Sequence, residues 1–446
     1  MKKLFIISLV ALGLLTNAQS KKSKTLPPVS DAIMENAVIY EVNIRQYSPE
    51  GTFKAFEKDL PQLKKLGVKI LWLMPVFPIG LEKRKEGLGS YYAVKDYKGI
   101  NPEFGNLADY KKLVASAHEN GMYVIQDWVA NHTAWDHAWV KNNPDYYTKD
   151  KDGKMISPFD WTDVVKLNYD NQAMRKEMIN EMQYWIKNAN IDGYRCDVAM
   201  EVPKDFWENA TTALKKLKPV FMLMEAEQPD LMEKAFDMQY AWDEHKLMNN
   251  VAQGKMTVKD LDKYYAERKN KYAKDDIDMH FTSNHDENSW NGTEYERMGK
   301  ATEVFAALTY LNVGMPLIYN GQEYDFNKRL KFFEKDEITR KKGKMFPIYE
   351  KLGQLKNNNA ALNGGKNPAD YKRIKTNNDE KILAFEREKN GKKIVFIANL
   401  SDKTEQTVLG IKGKFIDYMT GNKIDIYSKD APMGLKGWQY LILIPE

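Results

Sequence analysis

Cysteine is nearly absent from this chain: among 446 residues there is one, Cys196. A single thiol rules out an intrachain disulfide framework and a multi-cysteine metal site. Histidine is scarce too, with six in all and no His-x-His pair. That argues against a barrel hydrolase built on clustered histidine metal ligands. Neither charge sign dominates, since 67 Lys and Arg stand against 62 Asp and Glu, a formal charge of +5. The basic residues are scattered, so the electrostatic footprint of a nucleic-acid partner is missing. Internal repeats and low-complexity tracts are missing as well. The apolar run Leu4–Leu15 is too short to span a bilayer.

That run has telling neighbours. Lys2 and Lys3 precede it, and Asn17-Ala18-Gln19 follows it as a small-residue cleavage region. Together they read as a secretory signal over residues 1–19. The expected protein is secreted or periplasmic. Cys196 is far from this segment, so no lipid anchor is expected at a new N-terminus. Residues 20–36 are polar and aperiodic and read as a flexible leader. The 43% hydrophobic and 12% aromatic content is enough for a large core. The length suits an α/β barrel carrying a further domain.

From residue 37 the chain alternates between strand and helix signals. Ala37–Arg45 and Val68–Pro75 read as strands, with Phe53–Leu66 between them as a helix restarted at Pro61. Met122–Asp127, Gly193–Asp197, Pro219–Glu225, Phe236–Tyr240, Ile277–Asp286 and Met315–Asn320 continue the series. Helical spacing separates them, at Leu107–Glu119, Asn171–Lys187, Pro203–Leu217, Arg297–Leu311 and Phe346–Lys356. About eight such units predict a (β/α)₈ barrel. Residues 132–168 interrupt the pattern as an aromatic-rich insertion, and loops of that length in compact domains tend to be functional. Residues 357–446 change to short alternating strands, with Asn390-Gly391 as a hairpin turn. They read as a separate antiparallel β-sandwich domain.

Several predicted strands end on Asp, Glu, His or Asn, where a barrel builds its site. In Gly193-Tyr194-Arg195-Cys196-Asp197 the period of two puts Arg195 and Asp197 on one face and Cys196 on the other. A guanidinium beside a carboxylate is expected to keep that acid ionised, as a nucleophile requires. A purely structural ion pair is the alternative for this segment taken alone. Asp127-Trp128-Val129-Ala130-Asn131-His132, Met222-Leu223-Met224-Glu225 and Phe281-Thr282-Ser283-Asn284-His285-Asp286 are the other polar strand ends. Glu227, two residues past Glu225, is a competing acid. His118, His137, His245 and His280 read as packing or capping residues and Cys196 as a buried strand residue. Trp135, Trp139 and Trp161 divide between insertion core and sugar platform, because aromatic faces suit both.

In order and spacing these stretches resemble the signature of glycoside hydrolase family 13, the α-amylase family. Tyr92-Ala93-Val94-Lys95-Asp96-Tyr97, Leu167-Asn168-Tyr169-Asp170, Gly314-Met315-Pro316 and Gly321-Gln322-Glu323 extend the likeness over roughly residues 37–356. The resemblance implies a catalytic barrel over 37–356, with 132–168 as its inserted subdomain. It implies Asp197 as nucleophile, Glu225 as general acid/base and Asp286 as the third carboxylate. It further implies substrate contacts from Tyr92, His132, Arg195 and His285. The implied activity is retaining hydrolysis of α-1,4-linked glucans and maltooligosaccharides. A transglycosylase or glucoside isomerase of the same family and a non-catalytic glucan-binding barrel are the rivals. No cofactor is implied. A structural calcium is the one ion the family raises, and Asn131 matches one of its ligand positions. Yet Ala199-Met200-Glu201 replaces the Lys-His pair common after the nucleophile, and no Asp-rich calcium loop is present.

Overall fold

The computed structural model describes residues 26–446; the expected signal segment lies outside them. Eight parallel strands close a barrel. In chain order these are β1 (Val38–Val42), β2 (Val68–Leu73), β3 (Tyr123–Trp128), β6 (Gly193–Cys196), β7 (Phe221–Met224), β8 (Met238–Tyr240), β9 (Ile277–His280) and β10 (Met315–Tyr319). Between β3 and β6 the insertion carries a two-stranded ribbon, β4 (His132–Ala134) against β5 (Val164–Lys166).

The period of two along each strand sorts side chains into two shells. Ile39, Ile70, Trp72, Tyr123, Ile125, Phe221 and Leu223 fill the barrel interior. Their strand neighbours Val38, Tyr40, Leu71, Val124, Tyr194, Cys196 and Met222 face the surrounding helices. Continuing the same alternation toward the strand ends puts Glu41, Asp127, Arg195, Asp197 and Glu225 on the inner face. The helices begin and stop where their flanking residues dictate. Asn106 closes a capping box with Asp109 ahead of helix Leu107–Glu119. Asn171 caps helix Gln172–Ala189, which ends on a left-handed Asn190. Pro61 does restart a helix, giving Phe53–Glu57 and Leu60–Lys65.

Residues 26–36, expected within a flexible leader, are instead packed. Asp31–Met34 forms one helical turn, and Val29 and Met34 are buried against the interior cluster of the barrel. The Tyr123 hydroxyl also donates to the Pro27 carbonyl at 2.9 Å. Leu26 and Ile33 pack against the same cluster, so the apolar side chains of this stretch extend the barrel interior.

The C-terminal region has a six-stranded antiparallel sheet and a two-stranded one. The larger contains β11 (Asp370–Arg373), β12 (Ile382–Lys389), β13 (Lys392–Asn399), β15 (Gly413–Asp417), β16 (Lys423–Ile426) and β18 (Tyr440–Pro445). The smaller pairs β14 (Glu405–Val408) with β17 (Pro432–Leu435). Ile397, Leu409, Phe415 and Leu443 are among the side chains of their shared core. Asn390 and Gly391 both have positive φ, at 51° and 73°, as the tight β12–β13 turn demands. Arg387 stitches this region to the barrel, donating to the Leu311 and Asn363 carbonyls at 2.8 and 2.7 Å.

Gly193 sets how closely β6 approaches β7. Its φ is +152°, and a Cβ there would stand 1.8 Å from the Phe221 carbonyl oxygen. That oxygen is backbone and cannot step aside, so the strand carrying Arg195 would have to shift. Gly193→Ala is expected to lower unfolding stability by about 3 kcal/mol or more, read by chemical denaturation.

Candidate active site

At the carboxyl ends of the strands a pocket of about 500 Å³ opens between the barrel and the insertion. Asp197, Glu225, Asp286, Tyr92 and His132 line it. Each of these follows or flanks a barrel strand end, so five sequence-predicted residues converge on one space. Arg195 and His285 lie directly behind that wall and hold its members in place.

Arg195 is completely buried. Its Nη1 donates to Asp127 Oδ1 and Asp197 Oδ1, each at 2.9 Å. Its Nη2 forms an ion pair with Glu225 Oε1 at 2.9 Å, and its Nε donates to the Tyr240 hydroxyl at 3.1 Å. The guanidinium also lies 4.9 Å from the Trp72 ring centre, a cation–π contact. One positive charge therefore serves three acids. This changes the expectation for Asp197. Burial, and then repulsion from Glu225, push the Asp197 carboxyl well above its usual range, and Arg195 offsets only part of that. Burial raises the Glu225 carboxyl as well, against the pull of Arg195. Burial and the neighbouring acids thus hold both carboxyls above the usual carboxylate range.

Glu225 has a second anchor in the backbone. Val198 adopts a left-handed conformation, φ 36°, which a β-branched residue rarely takes. In that pose its N–H donates to Glu225 Oε2 at 2.8 Å. The strained residue directly after Asp197 thus fixes its partner acid, the kind of cost found at functional sites. Glu227 does not compete for this place. It accepts the Asp243 N–H at 2.9 Å outside the pocket, and burial raises its carboxyl to about 7.

A second chain of contacts braces the other side. Glu41 is fully buried on β1 and meets His285 Nδ1 at 2.5 Å. His285 Nε2 lies 2.7 Å from the Tyr92 hydroxyl and 3.3 Å from Asp286 Oδ2. The Tyr92 hydroxyl in turn donates to Asp127 Oδ2 at 3.0 Å. Tyr92 therefore stacks on His285, ring centres 5.4 Å apart, while touching the acid that holds Arg195. Asp286 and Glu41 raise His285 to about 9 in spite of burial. His132 has no such acid, and burial lowers it to about 3.

The insertion tryptophans separate cleanly. Trp161 stands edge-on to His132 at 5.5 Å and lines the pocket. Trp139 packs inside the insertion against His137 and Tyr146. Trp135 carries the Lys83 ammonium over its ring and is not part of the pocket wall. His118 pairs with Asp192, His137 caps a short helix, His245 stacks on Phe281 and His280 contacts Glu244. Cys196 is buried behind the strand, away from the pocket.

Several site residues are additions to the sequence reading. Glu41, Trp72 and Tyr240 support Arg195 and His285 from behind, and Trp290 and Phe332 line the pocket, with ring centres 5.1 Å apart. Glu41 could have been flagged as the sole charge in an otherwise apolar strand. The Asn131 amide lies 3.3 Å from His132 Nδ1, and Glu201 faces Lys166 at 4.0 Å. Among the described residues no group of three or more His, Cys, Asp or Glu is placed to hold a metal ion.

The elevated His285 carries a consequence for stability. Its value of about 9 in the fold, against the ordinary 6.5, means it gains from being protonated in the native state. That contribution is complete below about pH 6.5 and is lost as pH rises through about 9. Unfolding free energy is expected to fall across this window by up to roughly 3 kcal/mol. His285→Gln should flatten that fall, as measured by urea titrations at a series of pH values.

Comparison with known proteins agrees with this geometry. The sequence pattern of the α-amylase catalytic domain matches residues 20–164 and 159–390. α-Amylase 3 of Dictyoglomus thermophilum is 27% identical over 473 residues, covering 88% of this chain and 90% of that protein. α-Amylase MalA of Haloarcula japonica is 27% identical over 312 residues, covering 67% of this chain. There the match spans 45% of the relative's length. Among solved structures, the noncanonic maltogenic α-amylase AmyB of Thermotoga neapolitana superposes with a TM-score of 0.84 at 29% identity, covering 92% of this chain and 98% of that one. With the matched pattern spanning most of its length and the acids gathered at the barrel mouth, the chain belongs to the α-amylase family.

Proposed function

We propose that this protein hydrolyses α-1,4-linked glucans and maltooligosaccharides with retention of configuration, through a glucosyl ester on Asp197. The observation that carries the reading is the pair of acids, Asp197 and Glu225, held by the two ends of one buried guanidinium. Retaining chemistry needs two such carboxyls, one ionised and one protonated, flanking the bond to be cut. Burial raises the Glu225 carboxyl, which favours the protonated form in the acid role. The names of the relatives, α-amylase and maltogenic α-amylase, favour the same substrate class.

In the first step Asp197 attacks the anomeric carbon while Glu225 gives its proton to the glycosidic oxygen. The C–O bond breaks, the leaving sugar departs as a neutral alcohol, and the glucosyl–Asp197 ester remains. In the second step the Glu225 carboxylate takes a proton from water, whose oxygen attacks the same carbon and frees Asp197. Each atom and proton is restored at the end of the cycle. Asp286, at the open side of the pocket and 3.3 Å from the His285 imidazolium, is placed for sugar hydroxyls and for the positive charge that grows on the ring. Tyr92 offers its ring to the sugar at the cleavage point.

Substitution separates the two roles. Asp197→Asn is expected to lower kcat by about 10⁴-fold or more on every α-glucoside. Glu225→Gln should cost roughly 10²–10⁴-fold on maltooligosaccharides, and far less on aryl glycosides whose leaving group needs no proton. Near-normal turnover by Asp197→Asn would overturn the mechanism. Size analysis of the products from maltose then decides what accepts the glucosyl group. Glucose alone is expected for hydrolysis, and longer oligomers or trehalose would mean transfer to a sugar.

A further inference from the structure

Residues 79–90, on the way from β2 to Tyr92, form a strap fastened at both sides. Its first half is tied to the insertion. The Leu81 N–H donates to Asp136 Oδ2 at 3.0 Å, and the Lys83 ammonium lies 3.2 Å from the Trp135 ring centre. Lys85 Nζ pairs with Asp163 Oδ1 at 3.2 Å. Asp163 is 5% exposed, so this is not the loose pairing of an open surface. A Cβ on Gly80 would stand 2.3 Å from the Ala134 Cβ on β4, which shows how closely the strap lies against the insertion.

Its second half is tied to the loop after β10. The Leu88 N–H donates to the Phe333 carbonyl at 2.8 Å, and the Gly87 N–H to Glu334 Oε1 at 3.1 Å. The strap is also held to itself, because Arg84 Nε donates to the Gly80 carbonyl at 3.0 Å. Lys83 and Glu86 have positive φ, 56° and 48°, a conformation that persists in such residues only where the surroundings impose it. Insertion, strap and β10 loop thus make one continuous wall, and Asp163, Lys85, Ser90 and Phe333 are its pocket-facing members.

The wall stands on one side of the bond to be cut. Nη1 of Arg195 holds Asp127, which accepts the Tyr92 hydroxyl, while Nη2 holds Glu225. Tyr92 is joined to the strap through its N–H, which donates to Ser90 Oγ at 3.1 Å. The Phe332 ring lies next to the Tyr92 ring, 6.4 Å away and within 18° of parallel, and packs in turn on Phe333. The leaving sugar departs at Glu225, whose proton it takes. The sugar retained on Asp197 rests beside Tyr92, with the wall beyond it. In an α-1,4-glucan that retained sugar is on the non-reducing side of the broken bond.

We propose that the strap makes the pocket blind on this side, so that the enzyme trims glucans from the non-reducing end, releasing glucose or maltose, and leaves interior linkages uncut. The proposal rests on the retaining hydrolysis put forward above and adds which bond of the chain is cut. A chain continuing past the retained sugars would have to cross the wall, whereas a chain that ends there fits.

An aryl maltoheptaoside, used free and with O4 and O6 of its non-reducing glucose bridged by an ethylidene group, tests this in the full chain. Products are resolved by size during the first few per cent of conversion. The free substrate is expected to lose glucose or maltose first, and the blocked one to react about 10²-fold more slowly or worse, since the added group meets the wall. Lys85→Ala combined with Glu334→Ala removes the side-chain ties on both sides of the strap. It should raise the blocked-to-free rate ratio by roughly tenfold. Equal wild-type rates on the two substrates, with mid-chain products, would overturn the proposal and leave the retaining hydrolysis standing. A ratio unchanged in the double variant would remove the strap as the cause and overturn the proposal as well. No cleavage of either substrate would instead count against the hydrolytic reading on which the proposal rests.

Discussion

A single guanidinium, that of Arg195 near the end of β6, has no access to water, and the acids of the pocket are assembled around it. Taking such a charge out of water costs several kcal/mol unless opposite charge and hydrogen bonds replace the lost hydration. Three acids from three neighbouring strands supply that replacement: Asp127, Asp197 and Glu225. The Tyr240 hydroxyl takes the remaining edge, and the Trp72 ring covers a face. The same arrangement leaves more negative charge than one cation can neutralise. That surplus, together with burial, raises the Asp197 and Glu225 carboxyls, and a raised acid is what the proposed proton transfer calls for.

The surrounding contacts transmit this constraint outward. Asp127 links the guanidinium to Tyr92, Tyr92 to His285, and His285 to Glu41. Asp286 and Glu41 keep His285 charged, and with both ring nitrogens protonated it can donate to each neighbour. Val198 accepts a strained backbone so that its N–H meets Glu225. Rigid placement by buried networks suits groups that must hold their geometry as charge moves. The rim differs in kind. Trp290 is 54% exposed and Phe332 packs beneath it, offering aromatic faces to a substrate and few fixed polar partners.

Much of this site was legible because its key spacing is local. Arg195 and Asp197 are two residues apart, so alternation alone put them side by side; Asp197 lines the pocket and Arg195 stands behind it. Polar residues at strand ends were likewise visible as a recurring pattern. Glu225 was favoured over Glu227 because the apolar run ends there, but alternation puts both on one face and the regular strand β7 ends at Met224. There the direction of each side chain depends on which backbone N–H reaches it. For Glu225 that donor is Val198, 27 positions earlier, and for Glu227 it is Asp243, 16 positions later. The electrostatics of Asp197 were only partly legible for a similar reason. One neighbour was visible in the sequence, while two further acids arrive from β3 and β7.

The sequence by itself determined the layered plan: apolar strands buried on both faces, amphipathic helices between them, and a carboxylate or histidine where several strands stop. Those properties follow from periodicity and composition over a few residues, which need no knowledge of the rest of the chain. Only the tertiary structure decided that Glu41 and Asp127 brace the site, and that Val29 and Met34 extend the barrel interior. Barrel closure places β1 beside β10 across more than 270 residues, and burial and electrostatics are set by what meets there.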